Sequence, residues 1–380
     1  MRREKRTPRW EGDIDYWVNT LSELDNATKE SIGEILRFLS FITQNTDLIK
    51  RILLSEDFTS LRVDRDLLEE IARKPVVAVD SSISPLVRVG SYFYSIVSAA
   101  IVHFEGDSPK PSKNIIVKLA KVPELGDIEQ VRKEVLLKMF ELEVEALERA
   151  IGLIDDGTIF LDGPIVDPPR MVLRGELRRV YEKYVARRAR IIAKATKKNI
   201  IVIGVVKRIL GNHLVSKLRS LFERFPWLND YTLVTLVFSY ITSRILHDAK
   251  MEYFLLSRPI ELSYEKTDYK LYKENGSGNI FYAYACLTPR STRGRIVGIE
   301  IPTIGKDITQ QFRLAVHYSI CWTYPGMSIP LPVLLAHKAC TIKKKTARKI
   351  LRELISRYIS ESLSESEAKY ISLIAHRFVE

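Results

Sequence analysis

Between residues 14 and 54, Leu21, Leu24, Ile32, Ile35, Leu36, Leu39 and Ile42 recur mostly at three- or four-residue intervals. That period gathers apolar side chains on one face and predicts a helical N-terminal region, with a further short helix over 64–73. The pattern changes at Pro75. Val76-Val77-Ala78-Val79 is a β-branched run closed by Asp80-Ser81-Ser82, and two more strand-like runs follow at 90–102 and 114–120, separated by a loop at 106–113 that carries two prolines. Three strands with short links predict a meander.

Helical spacing returns from Asp127 to Ile154. A buried strand, Thr158 to Asp162, comes next and runs into Gly163-Pro164. A basic helix is predicted from about Arg174 to Lys198, and an apolar strand from Asn199 to Val206 that leads into Lys207-Arg208. Residues 212–250 read as largely helical, 265–278 as polar and turn-rich, and 280–287 with 295–302 as a late strand pair. Helices are expected at 333–339, 347–358 and 364–378. The order β-β-β-α-β-α-β fits an α/β fold: a ribonuclease-H-like mixed sheet flanked by helices, with helical elements added at both ends. The expected organisation is an N-terminal helical region over 1–74, a ribonuclease-H-like domain over 75–340 with a helical insertion at about 212–250, and C-terminal helices over 341–380.

Composition narrows the class. The 380 residues are 46% hydrophobic and 28% charged, as in ordinary globular proteins. No apolar stretch approaches the ~18 residues of a membrane span. The charged start, Met1-Arg2-Arg3-Glu4-Lys5-Arg6, has no apolar signal-peptide core, so a cytoplasmic protein is expected. Cys286, Cys321 and Cys340 lack the spacing of a disulfide framework or a cysteine zinc site. Lys plus Arg exceed Asp plus Glu by 59 − 47 = 12. The excess is concentrated between Arg170 and Lys198 and between Lys343 and Arg352, interleaved with apolar residues as on helix faces that line a polyanion channel.

Asp80 and Asp162 each follow a core strand, where α/β sheets bind ligands. One such residue is an ordinary turn or cap. Two on one sheet repel each other and imply a metal or a shared proton. On the helix between them, Glu141, Glu145 and Glu148 take the polar side, whereas Glu143 falls within the apolar stripe of Val135, Met139, Ala146, Leu147 and Ala150. A carboxylate facing a core is costly unless paired or ligating. Asp80, Glu143 and Asp162 are thus the candidate ligands for Mn²⁺ (or Mg²⁺), with Glu145 in reserve for the helix position. His337, after Pro330-Leu331-Pro332, could ligate a metal, act as an acid or contact phosphate, and Tyr324 could orient a phosphate or water. Arg187, Arg188, Lys207 and Arg208 are candidate DNA contacts. The chain has no Gly-x-x-x-x-Gly-Lys-Ser/Thr loop and so no P-loop motor of its own.

These residues resemble the NurA family of nucleases: Val77-Ala78-Val79-Asp80-Ser81-Ser82, a Glu-bearing helix, Phe160-Leu161-Asp162-Gly163-Pro164, Gly204-Val205-Val206-Lys207-Arg208, and Tyr324-Pro325 through Ala336-His337. The resemblance spans residues 75 to about 340. It implies a ribonuclease-H-like core and Mn²⁺-dependent 5′-to-3′ exonuclease activity with single-strand endonuclease activity. It also implies a homodimer and a HerA-type hexameric ATPase as partner in DNA end resection and recombinational repair. By resemblance Asp80 and Asp162 take the metal-ligand role, and Tyr324 and His337 an active-site role. Two other readings remain at this stage: an actin-like phosphotransferase, which would need a glycine-rich turn that Ser81-Ser82-Ile83 does not supply, and a non-catalytic nucleic-acid-binding protein.

Overall fold

The computed structural model describes residues 13–45, 61–89, 91–106, 108, 110–124, 127–166, 173–209, 212–217, 223–244, 253–262, 267–287, 296–303, 307–324 and 327–362. The elements that carry the site are β2 (Val76–Ile83), β4 (Tyr92–Phe104), β5 (Ser112–Pro123), α3 (Ile128–Ile151), β6 (Gly157–Asp162), α4 (Gly175–Lys197), β7 (Ile200–Val206) and α9 (Leu331–Cys340). Around them lie α1 (Asp13–Gln44), β1 (Leu61–Arg62), α2 (Arg65–Ala72), β3 (Val87–Val89), α5 (His213–Lys217), α6 (Asp230–Arg244), β8 (Tyr253–Leu256), β9 (Ile260–Glu261), α7 (Thr267–Glu274), β10 (Asn279–Cys286), β11 (Ile296–Thr303), α8 (Ile308–Cys321) and α10 (Lys344–Ser362).

All eleven described strands join one sheet. At its centre the order is β5-β4-β2-β6-β7. β2 is antiparallel to β4, and β4 to β5, whereas β2, β6 and β7 run parallel. The predicted meander and the later strands that return through helices are both present. The late strand pair, β10 and β11, extends the same sheet by pairing antiparallel to β7 through β11.

Alternation along the strands divides the core into two layers. Val77, Val79, Ile159, Leu161 and Val202 face α3 and α4. Val76, Ala78, Phe160, Ile203 and Val205 face α8 and α9. Both faces are covered, so these strands are apolar throughout. The long helix begins where Asp127 Oδ1 accepts from the Glu129 amide, a side-chain cap.

Some elements depart from expectation. The polar stretch at 265–278 contains α7, where Tyr272 is fully buried against the α4 layer; two apolar anchors in eight residues are too few to signal a helix. α8 and β8 are additions to the expected elements; α8 starts at a side-chain cap, Asp307 Oδ1 accepting from the Thr309 amide at 2.9 Å. The expected helix at 364–378 lies outside the described residues, as do 46–54 of the N-terminal pattern. Among the described residues no helix is long and apolar enough to cross a membrane.

Gly157 opens β6 at φ +99°, and a Cβ there would lie 2.2 Å from the Pro75 carbonyl oxygen at the start of β2. Gly157→Ala is therefore expected to cost at least about 1–3 kcal/mol, because both the dihedral and the clash are backbone problems. Urea denaturation of the two proteins checks this; equal midpoints would contradict it.

Candidate metal centre

The parallel pairing of β2 with β6 ends at Val79–Leu161, and the next residues on the two strands are Asp80 and Asp162. Alternation turns both toward the α9 layer. Asp80 is not at a strand exit, as the sequence pattern suggested. It is the fifth residue of β2, which continues through Ser81, Ser82 and Ile83 because β4 still pairs with it there. Asp162 is the last residue of β6.

α9 closes the site from above. Pro332 sits in its first turn, where a missing amide hydrogen costs nothing, and Val333 and Ala336 seat the helix on the sheet. His337 then reaches both carboxylates: Nδ1 lies 2.9 Å from Asp80 Oδ2 and 3.2 Å from Asp162 Oδ2. One donor atom from each of Asp80, Asp162 and His337 falls within 4.8 Å of the others. One turn after His337, the Cys340 thiol lies 3.2 Å from Asp80 Oδ2 and donates to it. Lys207, one residue past β7, places Nζ 2.6 Å from Asp162 Oδ2.

The electrostatics follow from crowding. Burial, then the nearby Asp162 and Glu143 carboxylates, push the Asp80 carboxyl up to about 8, against a smaller downward pull from the Cys340 thiol. Asp80 Oδ1 accepts from the Ser81 amide at 2.8 Å. Asp162 Oδ1, in contrast, is a buried oxygen with no hydrogen-bond partner. Such atoms are uncommon, and two carboxylates plus an imidazole form an O,O,N donor set that suits Mn²⁺. The residues fit a divalent cation.

The loop after Asp162 is tied down from the opposite face. Gly163, at φ +136°, donates to the Val205 carbonyl at 3.1 Å. The Ile165 amide donates to buried Glu300 at 2.7 Å, and the Tyr272 hydroxyl to the Ile165 carbonyl at 2.9 Å. This support fixes the backbone that presents Asp162.

Glu143 does face the core, as its helical phase implied. Its partners are Ser81 Oγ, which donates to Oε2, and Arg188 Nη1, 2.6 Å from Oε1. Ser81 alternates to the α3 face, so Glu143 stands across β2 from the Asp80–Asp162–His337 group, joined to it through consecutive residues. Arg188 requires a correction. Expected on a DNA-facing surface, it is 1% exposed, pairs with Glu143 and also donates to the Pro164 carbonyl at 3.3 Å. In α4 it occupies the apolar face with Val185 and Ile192, where a cation is tolerated only because Glu143 meets it.

The remaining candidates spread out. Arg187 pairs with Glu148. Arg208 is exposed. Tyr324 is 58% exposed and is not among the groups that contact the carboxylates, while Pro325 and Gly326 lie outside the described residues. Glu145, the reserve ligand, is instead held by Lys118 and Arg149, which lower its pKa. Cys340 escaped the sequence reading. Its signal is the three-residue spacing from His337, which becomes meaningful only once that stretch is known to be a helix over the sheet.

The NurA domain matches residues 74–371 of the chain. The chain belongs to the NurA family. No curated protein matches its sequence. Its fold is similar to that in a crystal structure of NurA with manganese, at 11% identity and a TM-score of 0.53, with 91% of this chain and 100% of the other covered. A second crystal structure of NurA is similar at 12% identity and a TM-score of 0.54, covering 91% and 99%. At such identity the likeness concerns the NurA fold; the site geometry is this chain's own.

Proposed function

We propose that this NurA-family chain is a divalent-metal-dependent DNA nuclease. The observation that carries the reading is the convergence of Asp80, Asp162 and His337 donor atoms at one point, with Asp162 Oδ1 buried and unpartnered. The sheet order β5-β4-β2-β6-β7 supports a ribonuclease-H-like core. The manganese in a NurA crystal structure supports Mn²⁺ as the ion.

Asp80, Asp162 and His337 would hold the cation, and Glu143 would add negative potential from across β2. A bound divalent cation supplies Lewis-acid activation of the phosphodiester and of the attacking water. Asp80, with its raised pKa, carries a proton in the metal-free site at neutral pH and gives it up when a cation is bound. Ser81 and Arg188 hold Glu143 in place, and the anchored Gly163–Ile165 loop holds Asp162. Lys207, with Nζ 2.6 Å from Asp162 Oδ2, and the exposed Arg208 next to it in sequence are the cations that would meet a DNA phosphate. Tyr324, exposed nearby in sequence to α9, is available to a bound strand. The finer reading is 5′-to-3′ exonuclease with single-strand endonuclease activity, in a homodimer that works with a HerA-type ATPase in the cytoplasm on DNA ends for recombinational repair. The absence of a Walker-type loop in the sequence supports a separate motor.

The test is cleavage of end-labelled single-stranded and duplex DNA with Mn²⁺, Mg²⁺ or chelator. Metal-dependent release of nucleotides is expected, with binding that weakens by a log–log salt slope of about 0.7–0.9 per phosphate contact. Undiminished cleavage in excess chelator would rule the reading out. Adding the HerA-type ATPase should make resection of long duplex depend on ATP, and light scattering of the complex checks the partnership.

Because the Asp80 proton must leave, Mn²⁺ affinity should weaken as pH falls below about 8, with proton release on binding. Calorimetric titrations in buffers of different ionisation enthalpy read the release directly. A pH-independent affinity between 6 and 8.5 would contradict it.

A further inference from the structure

Lys207 lies immediately beyond β7, and its side chain crosses to the neighbouring strand. Its Nζ is 2.6 Å from Asp162 Oδ2, yet the lysine side chain stays 31% exposed while that of Asp162 is 4% exposed. A long, solvent-edged side chain thus donates to a nearly buried carboxylate. The oxygen it holds is also the one His337 Nδ1 approaches at 3.2 Å. The other oxygen of Asp162 is buried and bare. A static structural ion pair ordinarily satisfies the carboxylate it buries; here the ammonium covers only the oxygen that belongs to the cluster of donor atoms. The other site cation, Arg188, is fully buried and committed to Glu143, so it has no comparable freedom.

We propose that Lys207 is an exchangeable counter-cation: it gives up Asp162 Oδ2 to an incoming divalent ion, and the released ammonium then donates to the phosphate of the substrate. An ammonium and a divalent cation against the same oxygen repel strongly at that distance. The four-carbon stem lets the head group swing outward without moving β7, and the exposed side of Lys207 leaves it room. After the swing the charge remains beside the cluster, where an anionic phosphate arrives. The exchange keeps the metal-free carboxylates neutralised and provides a phosphate contact when the site is loaded. No bond is made or broken. The inference rests on reading the cluster as the metal site of a nuclease.

The test compares Mn²⁺ binding, measured calorimetrically without DNA, for the wild type, Lys207→Met, Lys207→Arg and, as a control for loss of one surface charge, the exposed Lys138→Met. Lys207→Met should bind Mn²⁺ roughly tenfold more tightly, since its competitor is gone, and should cleave DNA more slowly despite the tighter metal. Lys138→Met should stay within about twofold of wild type in Mn²⁺ affinity, and Lys207→Arg should not tighten binding. Trace amine acetylation read by mass spectrometry gives a second measure: Lys207 labelling should rise when wild type is saturated with Mn²⁺. Equal or weaker Mn²⁺ binding by Lys207→Met, or labelling indifferent to Mn²⁺, would overturn the exchange while leaving the nuclease reading standing. Wild type that binds no Mn²⁺ would overturn both.

Discussion

Replacing Asp80 by Asn is expected to abolish metal-dependent cleavage and also to make the metal-free protein more stable at neutral and alkaline pH. Both effects come from one carboxylate. For activity, the substitution removes a ligand charge, with a loss of roughly 10³-fold or more if the cation contributes several kcal/mol to the transition state. For stability, the direction follows from the raised pKa. In the unfolded chain Asp80 ionises near 3.8, and in the folded protein near 8. Below about 4 both states hold the proton and nothing is gained or lost. Between about 4 and 8 the unfolded state ionises first, so folding loses stability progressively, and above about 8 the loss is complete. A shift of this size amounts to several kcal/mol at most. Asn carries no such penalty. Melting temperatures of wild type and Asp80→Asn should converge near pH 4 and separate toward pH 8.5, with the variant higher. Saturating Mn²⁺ should raise the wild type and leave the variant unmoved. Parallel pH profiles, or an active Asp80→Asn, would defeat the assignment.

Arg188→Met should be the most destabilising of the charge substitutions. It leaves the Glu143 carboxylate, 7% exposed, with Ser81 as its remaining neutral donor and frees the Pro164 carbonyl from its contact. Breaking a buried pair from one side costs about 3–5 kcal/mol. The double variant Glu143→Met, Arg188→Met should recover much of that, because neither charge is then stranded. Chemical denaturation of the two single variants and the double variant yields the coupling directly. Arg187→Met, by contrast, loses an exposed pair with Glu148 and should change stability by less than about 1 kcal/mol. If Arg188 were instead a surface phosphate contact, its loss would flatten the salt dependence of DNA binding and leave the melting temperature alone.

Much of this protein could be read from local pattern. The β-branched runs at 76–83 and 157–162, the period of α3 and the basic helix all follow from side-chain periodicity, because strands buried on both faces and helices packed on a sheet impose it on the sequence. The candidate carboxylates stood out from the same pattern: Asp80 and Asp162 close apolar strand runs, and Glu143 falls within the apolar stripe of its helix.

What the pattern could not decide is which side of the sheet each group occupies and what meets it there. A one-residue change of phase sends Ser81 to the α3 face and Asp80 to the α9 face, so Glu143 and the Asp80–Asp162–His337 group, all legible singly, are separated by β2 itself. Arg188 looked like its neighbours in a basic run, and only the packing of α4 on α3 buries it against Glu143. His337 and Cys340 meet Asp80 across more than 250 residues of sequence, through a helix docked on a mixed sheet. Periodicity records burial, which every residue feels locally; pairing between charges depends on distances set by the whole fold, and for this site the tertiary structure alone supplies them.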